Sequence, residues 1–190
     1  MKFNPHYELM DRHAFLSASN YHWINYDEDK LRDAYVKSQA QFRGTALHEF
    51  SKRAILLGIK LPKNKNPVNQ FVNDAIGYRM APEQILFYSY NAFGTSDAIS
   101  FRSNLLRIHD LKTGLSRVSM EQLEVYSALF CLEYDQLPKN IDIELRIYQS
   151  SKIIVHEPPH VDIRRIMEKL IYFDKKIEEF KSEEYNPWQK

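Results

Sequence analysis

Thr95–Lys112, TSDAISFRSNLLRIHDLK, is the stretch whose reading decides the fold. Thr95–Phe101 and Leu105–Lys112 read as short strands on either side of the turn Arg102-Ser103-Asn104, which predicts a β-hairpin. Pairing Phe101 with Leu106 sets Asp97 opposite Asp110, and a slip of one residue still leaves them near neighbours. Side chains alternate along a strand, so Ile99 and Phe101 share a face with Asp97, and Leu106, Ile108 and Lys112 share one with Asp110. One sheet face is then apolar near the turn and carries Asp, Asp and Lys at its other end.

Two facing carboxylates repel each other and destabilise a hairpin. A hard divalent cation offsets that repulsion, because Mg²⁺ takes carboxylate oxygens plus waters. Such an ion polarises a phosphate and lowers the pKa of a bound water. Lys112 points at the same space, where its ammonium can orient an attacking water or stabilise charge developing on the phosphate. The bland alternative is a solvated Asp/Asp/Lys cluster at a strand end; the hairpin setting and the apolar neighbours favour a site.

Further strands are expected at Gln84–Tyr90, Asp142–Tyr148 and Lys152–His156. Helices are expected at Asp27–Gln39, Thr45–Gly58, Ser119–Glu133 and Asp162–Phe180. Leu61–Gln70 (LPKNKNPVNQ) reads as an exposed basic loop. Strands and helices mix without strict alternation, which predicts an α/β fold with a mixed sheet flanked by helices. One domain is expected over residues 1–190, with a motif-bearing core at about 16–156 and a C-terminal helix at 162–180.

His48 lies about 100° around its helix from Leu47, at the edge of the stripe Leu47, Phe50, Ala54, Leu57. There it can reach a metal above the sheet or serve as a structural hydrogen-bonder. Glu49 lies a further step around, towards solvent. Gln122 and Tyr126 are four apart and share a helix face. They can contact a phosphate or base; alternatively, Gln122 completes a capping box with Ser119 and Tyr126 is core.

The 190 residues suit a single core. Hydrophobic residues at 44% and charged residues at 27% are ordinary for a globular protein. The 12 Tyr, 11 Phe and 2 Trp are expected to be mostly core material, with few left to stack on bases. A net charge of +1 gives no global nucleic-acid signature, so any basic character must be local. Lys52, Arg53, Lys63 and Lys65 are candidates for such a patch, or simply a solvated surface. The single Cys131 excludes an intrachain disulfide and a four-cysteine metal or Fe–S site. No apolar run is long enough for a membrane span, and Met1–Asp11 is polar, so a cytoplasmic protein is expected. A zinc site from His109, His156 and His160 is disfavoured, because Glu157-Pro158-Pro159 keeps His156 and His160 off a shared helix face. Ser17 and Ser19 have no neighbouring His or Asp for a nucleophilic triad and suit a cap or backbone contact.

Taken together, five segments resemble the RecB-like branch of the PD-(D/E)XK nuclease superfamily. They are Leu16-Ser17-Ala18-Ser19 with Trp23; Gly44-Thr45-Ala46-Leu47-His48-Glu49; Gly94-Thr95-Ser96-Asp97; Asp110-Leu111-Lys112-Thr113-Gly114; and Gln122 to Tyr126. They occur in the family's order between Leu16 and Tyr126, and the first two are similar to those of phage-encoded members. The resemblance implies a restriction-endonuclease-like fold and a metal-dependent DNA nuclease, with an exonuclease in phage or bacterial recombination or DNA processing as the first expectation. His48, Asp97 and Asp110 would be metal ligands, joined by the Leu111 carbonyl, and Lys112 the catalytic lysine. Gln122, Tyr126, Ser17, Ser19 and Thr113 would support the site and the nucleic acid. The implied cofactor is Mg²⁺, with Mn²⁺ as a substitute and no Fe–S cluster. The implied partners are DNA and a single-strand annealing protein, recombinase or helicase; no membrane is expected, and an oligomer is compatible. Relatives with Q-P-R after the later core strand differ from the Gln149-Ser150-Ser151 found here. The alternatives are a structure- or site-specific endonuclease, or a non-catalytic nucleic-acid- or protein-binding module on the same fold.

Overall fold

The computed structural model describes residues 7, 14–19, 21–114 and 118–184. Apart from Tyr7, the polar N-terminal segment 1–11 lies outside the described residues. The chain forms two compact units, Met1–Thr45 and Ala46–Lys190. A 29-residue helix, α1 (Glu28–Leu56), runs through the boundary. Asp27 starts it, its Oδ1 accepting from the Lys30 amide at 2.8 Å, and Glu28 and Asp29 complement the helix dipole. In the first unit Trp23 Nε1 donates to the Ser17 carbonyl at 3.0 Å, and Phe15 meets Tyr35 edge-on at 5.4 Å.

Sequence patterning predicts two helices where α1 is one. A lone mid-helix glycine such as Gly44 costs about 1 kcal/mol against alanine, too little to break a helix of this length. The true end is at Gly58. Its φ of 66° lets its amide and that of Ile59 close back on the Ile55 and Ala54 carbonyls.

The second unit contains a helix that takes up the end of the expected basic loop Leu61–Gln70 and runs beyond it. This helix, α2 (Pro67–Gly77), begins at Asn66, whose side chain accepts from the Val68 amide at 2.9 Å, with Pro67 in the first turn. Val68, Phe71, Val72 and Ala75 form its buried stripe. The lysines and asparagines before Pro67 mask this start signal. Asn66→Ala is expected to destabilise the protein by about 1 kcal/mol through loss of the cap, read as a lower midpoint in urea with unchanged slope.

Five strands follow in one sheet of order β1-β2-β3-β4-β5: β1 (Ala81–Ser89), β2 (Ala92–Arg102), β3 (Leu105–Leu111), β4 (Asp142–Gln149) and β5 (Lys152–His156). Three neighbouring pairs are antiparallel. β3 and β4 are parallel and are joined through helix α3 (Glu121–Glu133). Helix α4 (His160–Glu184) closes the described chain. The architecture is therefore a mixed α/β sheet with helices, as the sequence predicts.

The sheet carries a core on each face. On one, Leu86, Ile99, Leu106, Ile108 and Leu145 pack with Leu123 and Leu129 of α3 and Ile163 of α4. On the other, Ala98, Leu111 and Tyr148 pack with Ala54 and Ile55 of α1 and Phe71 and Val72 of α2. Burying one side chain of the size of Phe71 contributes about 1.5–3 kcal/mol, and α2 is also tied to β4 by Asp74, whose Oδ2 accepts from the Tyr148 hydroxyl at 2.7 Å. Cys131 sits in the first core as a small hydrophobe. Among the described residues no helix is long and apolar enough to cross a membrane.

Candidate metal centre

The hairpin β2–β3 turns on Ser103 and Asn104, with φ of 50° and 60°, the two left-handed residues of a type I′ turn. Arg102 pairs with Leu105, so the loop is one residue tighter than its sequence reads. Phe101 pairs with Leu106, Ile99 with Ile108 and Ala98 with His109. The next step of this register sets Asp97 beside Asp110, as the sequence predicts. Asp97 Oδ2 accepts from the Leu111 amide at 2.8 Å, which fixes the carboxylate across the hairpin. The same oxygen lies 3.4 Å from His48 Nδ1 on α1.

Asp110 is buried, 3% exposed. Lys112 Nζ donates to its Oδ1 at 3.1 Å and stands 3.0 Å from Oδ2. Oδ2 receives no well-directed hydrogen bond from that ammonium, so a buried carboxylate oxygen is left without one. Lys112 Nζ also donates to Gln122 Oε1 at 2.8 Å, and Gln122 Nε2 donates to the Tyr126 hydroxyl at 3.0 Å. The Lys112 amide continues the β3–β4 pairing by donating to the Tyr148 carbonyl at 3.0 Å. Lys112 is thus held at both ends.

The capping box expected from Ser119 and Gln122 does not form. Helix α3 starts at Glu121, and Ser119 Oγ accepts from the Glu121 amide instead. Gln122 is thereby free to bridge Lys112 and Tyr126. The Tyr126 ring packs over Gly94, where a Cβ would stand 2.9 Å from its Cε1. Gly94→Ala is expected to shift Tyr126, destabilise the fold by about 1–3 kcal/mol, and loosen the Gln122 contact. A lower thermal midpoint with altered Tyr fluorescence would register it.

Glu83 is the residue that sequence reasoning missed. His48, Glu83 and Asp97 bring ligand atoms within 4.8 Å of one another. On β1, Pro82 pairs with Ala98 and Gln84 with Ser96, so Glu83 occupies the position across from Asp97. Its φ of 51° lies in the left-handed region, rare for a non-glycine residue. Gly94 faces α3 and Ile99 lies in the same core, although strict alternation would put residues five apart on opposite faces. The alternation therefore switches between them, beside the strained Glu83. Strain of this kind costs about 1–3 kcal/mol and gathers at functional sites. The sequence reading starts the strand at Gln84 and so stops one residue short. In the β1–β2 register, a strand that begins at Ala81 sets Glu83 across from Asp97.

The electrostatics follow from crowding. The Asp97 hydrogen bond raises the His48 pKa above its ordinary 6.5 against the downward pull of burial. Burial, then the Asp97 charge, pushes the Asp110 and Glu83 carboxyls up; Lys112 opposes this at Asp110, and His48 opposes it at Glu83. Both the Asp110 and the Glu83 carboxylates are thus disfavoured as anions.

Leu111 buries its side chain in the α2-side core, and Thr113 is exposed. Ser17 and Ser19 belong to the Met1–Thr45 unit, where their hydroxyls lie 3.3 Å apart. Glu49 pairs with Arg53 at 2.7 Å on the outside of α1. His109 points to the sheet's opposite face, next to Tyr148; burial, then Arg146 and Arg107, lower its pKa to about 3. His156 binds Glu124 at 3.1 Å, tying β5 to α3.

No family model, curated protein or solved structure matches this chain. Its function therefore has to be read from the side chains themselves.

The donors suit a divalent cation. They are two carboxylates and an imidazole within mutual reach, with a third carboxylate that has a buried, underused oxygen. Carboxylate-rich sets of this kind favour Mg²⁺ or Mn²⁺, and one imidazole tilts the balance towards Mn²⁺.

Proposed function

We propose that this chain is a divalent-metal-dependent deoxyribonuclease of the RecB-like PD-(D/E)XK type, hydrolysing phosphodiesters from DNA ends. The observation that carries the reading is the joining of two half-sites at one hairpin end. Asp97 is shared by His48 and the Leu111 amide, with Glu83 across from it, and Asp110 is clamped by Lys112. His48, Glu83, Asp97 and Asp110 would hold the ion, which when bound supplies Lewis-acid polarisation of phosphate and a more acidic water.

The chain's own residues supply the rest. Lys112, fixed by Asp110 and Gln122, holds an ammonium against the negative charge that grows on a phosphate under attack. Gln122, itself held by Tyr126, limits the rotamers open to Lys112. The Asp97–Leu111 bond keeps the carboxylate from turning away from His48. Such positioning is what phosphoryl transfer requires of a protein.

The test is digestion of end-labelled linear DNA beside covalently closed circles, with Mg²⁺ or Mn²⁺. Loss of linear DNA alone, stopped by EDTA, is the expected result. Cutting of circles as well would replace the exonuclease with an endonuclease. Intact DNA and RNA in every condition, with folded protein, would leave a binding module in place of an enzyme.

A further inference from the structure

We propose that Lys52 is a second phosphate-binding lysine of this site, gripping a nucleic-acid backbone on the His48–Glu83 side of the cluster while Lys112 serves the Asp110 side. The inference rests on the nuclease reading above and extends it to the path of the substrate strand.

Lys52 follows His48 by four residues on α1, so the two side chains leave the same helix face one turn apart. His48 reaches Asp97, which aims that face at the cluster. The turn is fixed in place: Ser51 Oγ donates to the Leu47 carbonyl at 2.8 Å, and Ser51, Ala54 and Ile55 are buried. The root of Lys52 is therefore immobile, and its side chain is half-buried.

Its charge is available. Arg53 is taken up by Glu49, and Lys112 by Asp110 and Gln122. Among the described residues no ion pair or hydrogen bond within bonding distance engages Lys52. It acts only through space, on Glu83, where its positive charge opposes the rise of that carboxyl's pKa. An ammonium one helical turn from a carboxylate-rich site is a point charge suited to a phosphate. A strand crossing the cluster would then meet one lysine at each end. Their contributions differ. Lys112 contacts the reacting phosphate, while Lys52 holds a flanking one and contributes to binding alone.

The experiment measures binding of a fluorescent single-stranded oligonucleotide by the full chain in Mg²⁺ over a range of KCl, with Lys112→Ala as the background to prevent cleavage. Adding Lys52→Gln is expected to weaken binding several-fold and to flatten the slope of log Kd against log salt by about 0.7, the value of one phosphate contact on a single strand. Lys52→Arg should retain the slope. In the otherwise native chain, Lys52→Gln should raise KM more than it changes kcat, and Lys52→Arg should restore the native KM. An unaltered Kd and salt slope on adding Lys52→Gln, with the Lys112→Ala chain still binding the oligonucleotide, would overturn the role of Lys52 alone. Failure of the native chain to bind or cleave any oligonucleotide would overturn the nuclease reading and this inference with it.

Discussion

On the proposed nuclease reading, Lys112→Ala is expected to lower kcat for DNA hydrolysis by about 10²–10³-fold, the usual consequence of removing one fixed donor from a charge-developing centre. The lysine touches neither His48 nor Glu83, so Mn²⁺ binding should survive. What changes is the partner of Asp110. Its carboxylate is buried and already disfavoured as an anion, and Lys112 is its counter-charge. Without the ammonium the Asp110 pKa climbs further. Lys112 is a third exposed, so solvent moderates the loss to about 1–2 kcal/mol in EDTA. Added Mn²⁺ should restore much of it by mass action. Calorimetry with and without the ion, beside single-turnover cleavage, separates a missing catalytic charge from an unstable fold.

Asp97→Ala is the more damaging change, expected to weaken Mn²⁺ binding by more than about 10²-fold, beyond what loss of an outer partner does, and to abolish cleavage. Asp97 is the residue on which the centre converges: His48 Nδ1 at 3.4 Å, the Leu111 amide at 2.8 Å and Glu83 within ligand distance. Its loss also returns the His48 pKa towards 6.5, because the Asp97 hydrogen bond is the leading cause of the rise. An imidazole ligates only when neutral. In the native protein Mn²⁺ affinity should therefore strengthen as pH rises through a His48 pKa above 6.5. The stability given by the charged His48–Asp97 pair runs the other way: it is fully present below 6.5 and disappears as pH rises through the folded value. The raised Asp110 and Glu83 carboxyls add to this trend, since the folded state holds their protons more tightly than the unfolded chain does. In EDTA, stability should thus decline from mildly acidic to alkaline pH, and Mn²⁺ should flatten the decline. Thermal midpoints across pH, with and without the ion, check the sign.

The hairpin was legible because its information is local. Phe101 and Leu106 are apolar, the turn between them is short, and the period of two fixes the register that places Asp97 beside Asp110. Lys112 followed from the same alternation. His48 was legible only as an edge position on a helix; its closeness to Asp97 depends on how the end of α1 packs beside the sheet, through Ala54 and Ile55. Glu83 was hidden because the alternation that guides strand reading switches beside it. Gln122 was half hidden: its spacing to Tyr126 showed a shared face, while its spacing to Ser119 suggested a cap that Ser119 gives to the Glu121 amide instead. Helix α2 was lost behind Lys63, Asn64 and Lys65, although Asn66-Pro67 followed by Val68, Phe71, Val72 and Ala75 is a capped apolar stripe.

One measurement addresses the proposed metal-dependent hydrolysis most directly: shortening of an end-labelled oligonucleotide by the purified chain in Mn²⁺, run beside Asp110→Asn. The expected result is cleavage by the native protein, none in EDTA, and none by the variant although it stays folded. Equal cleavage by Asp110→Asn, or no cleavage by a native chain that binds Mn²⁺ through Asp97, would contradict it.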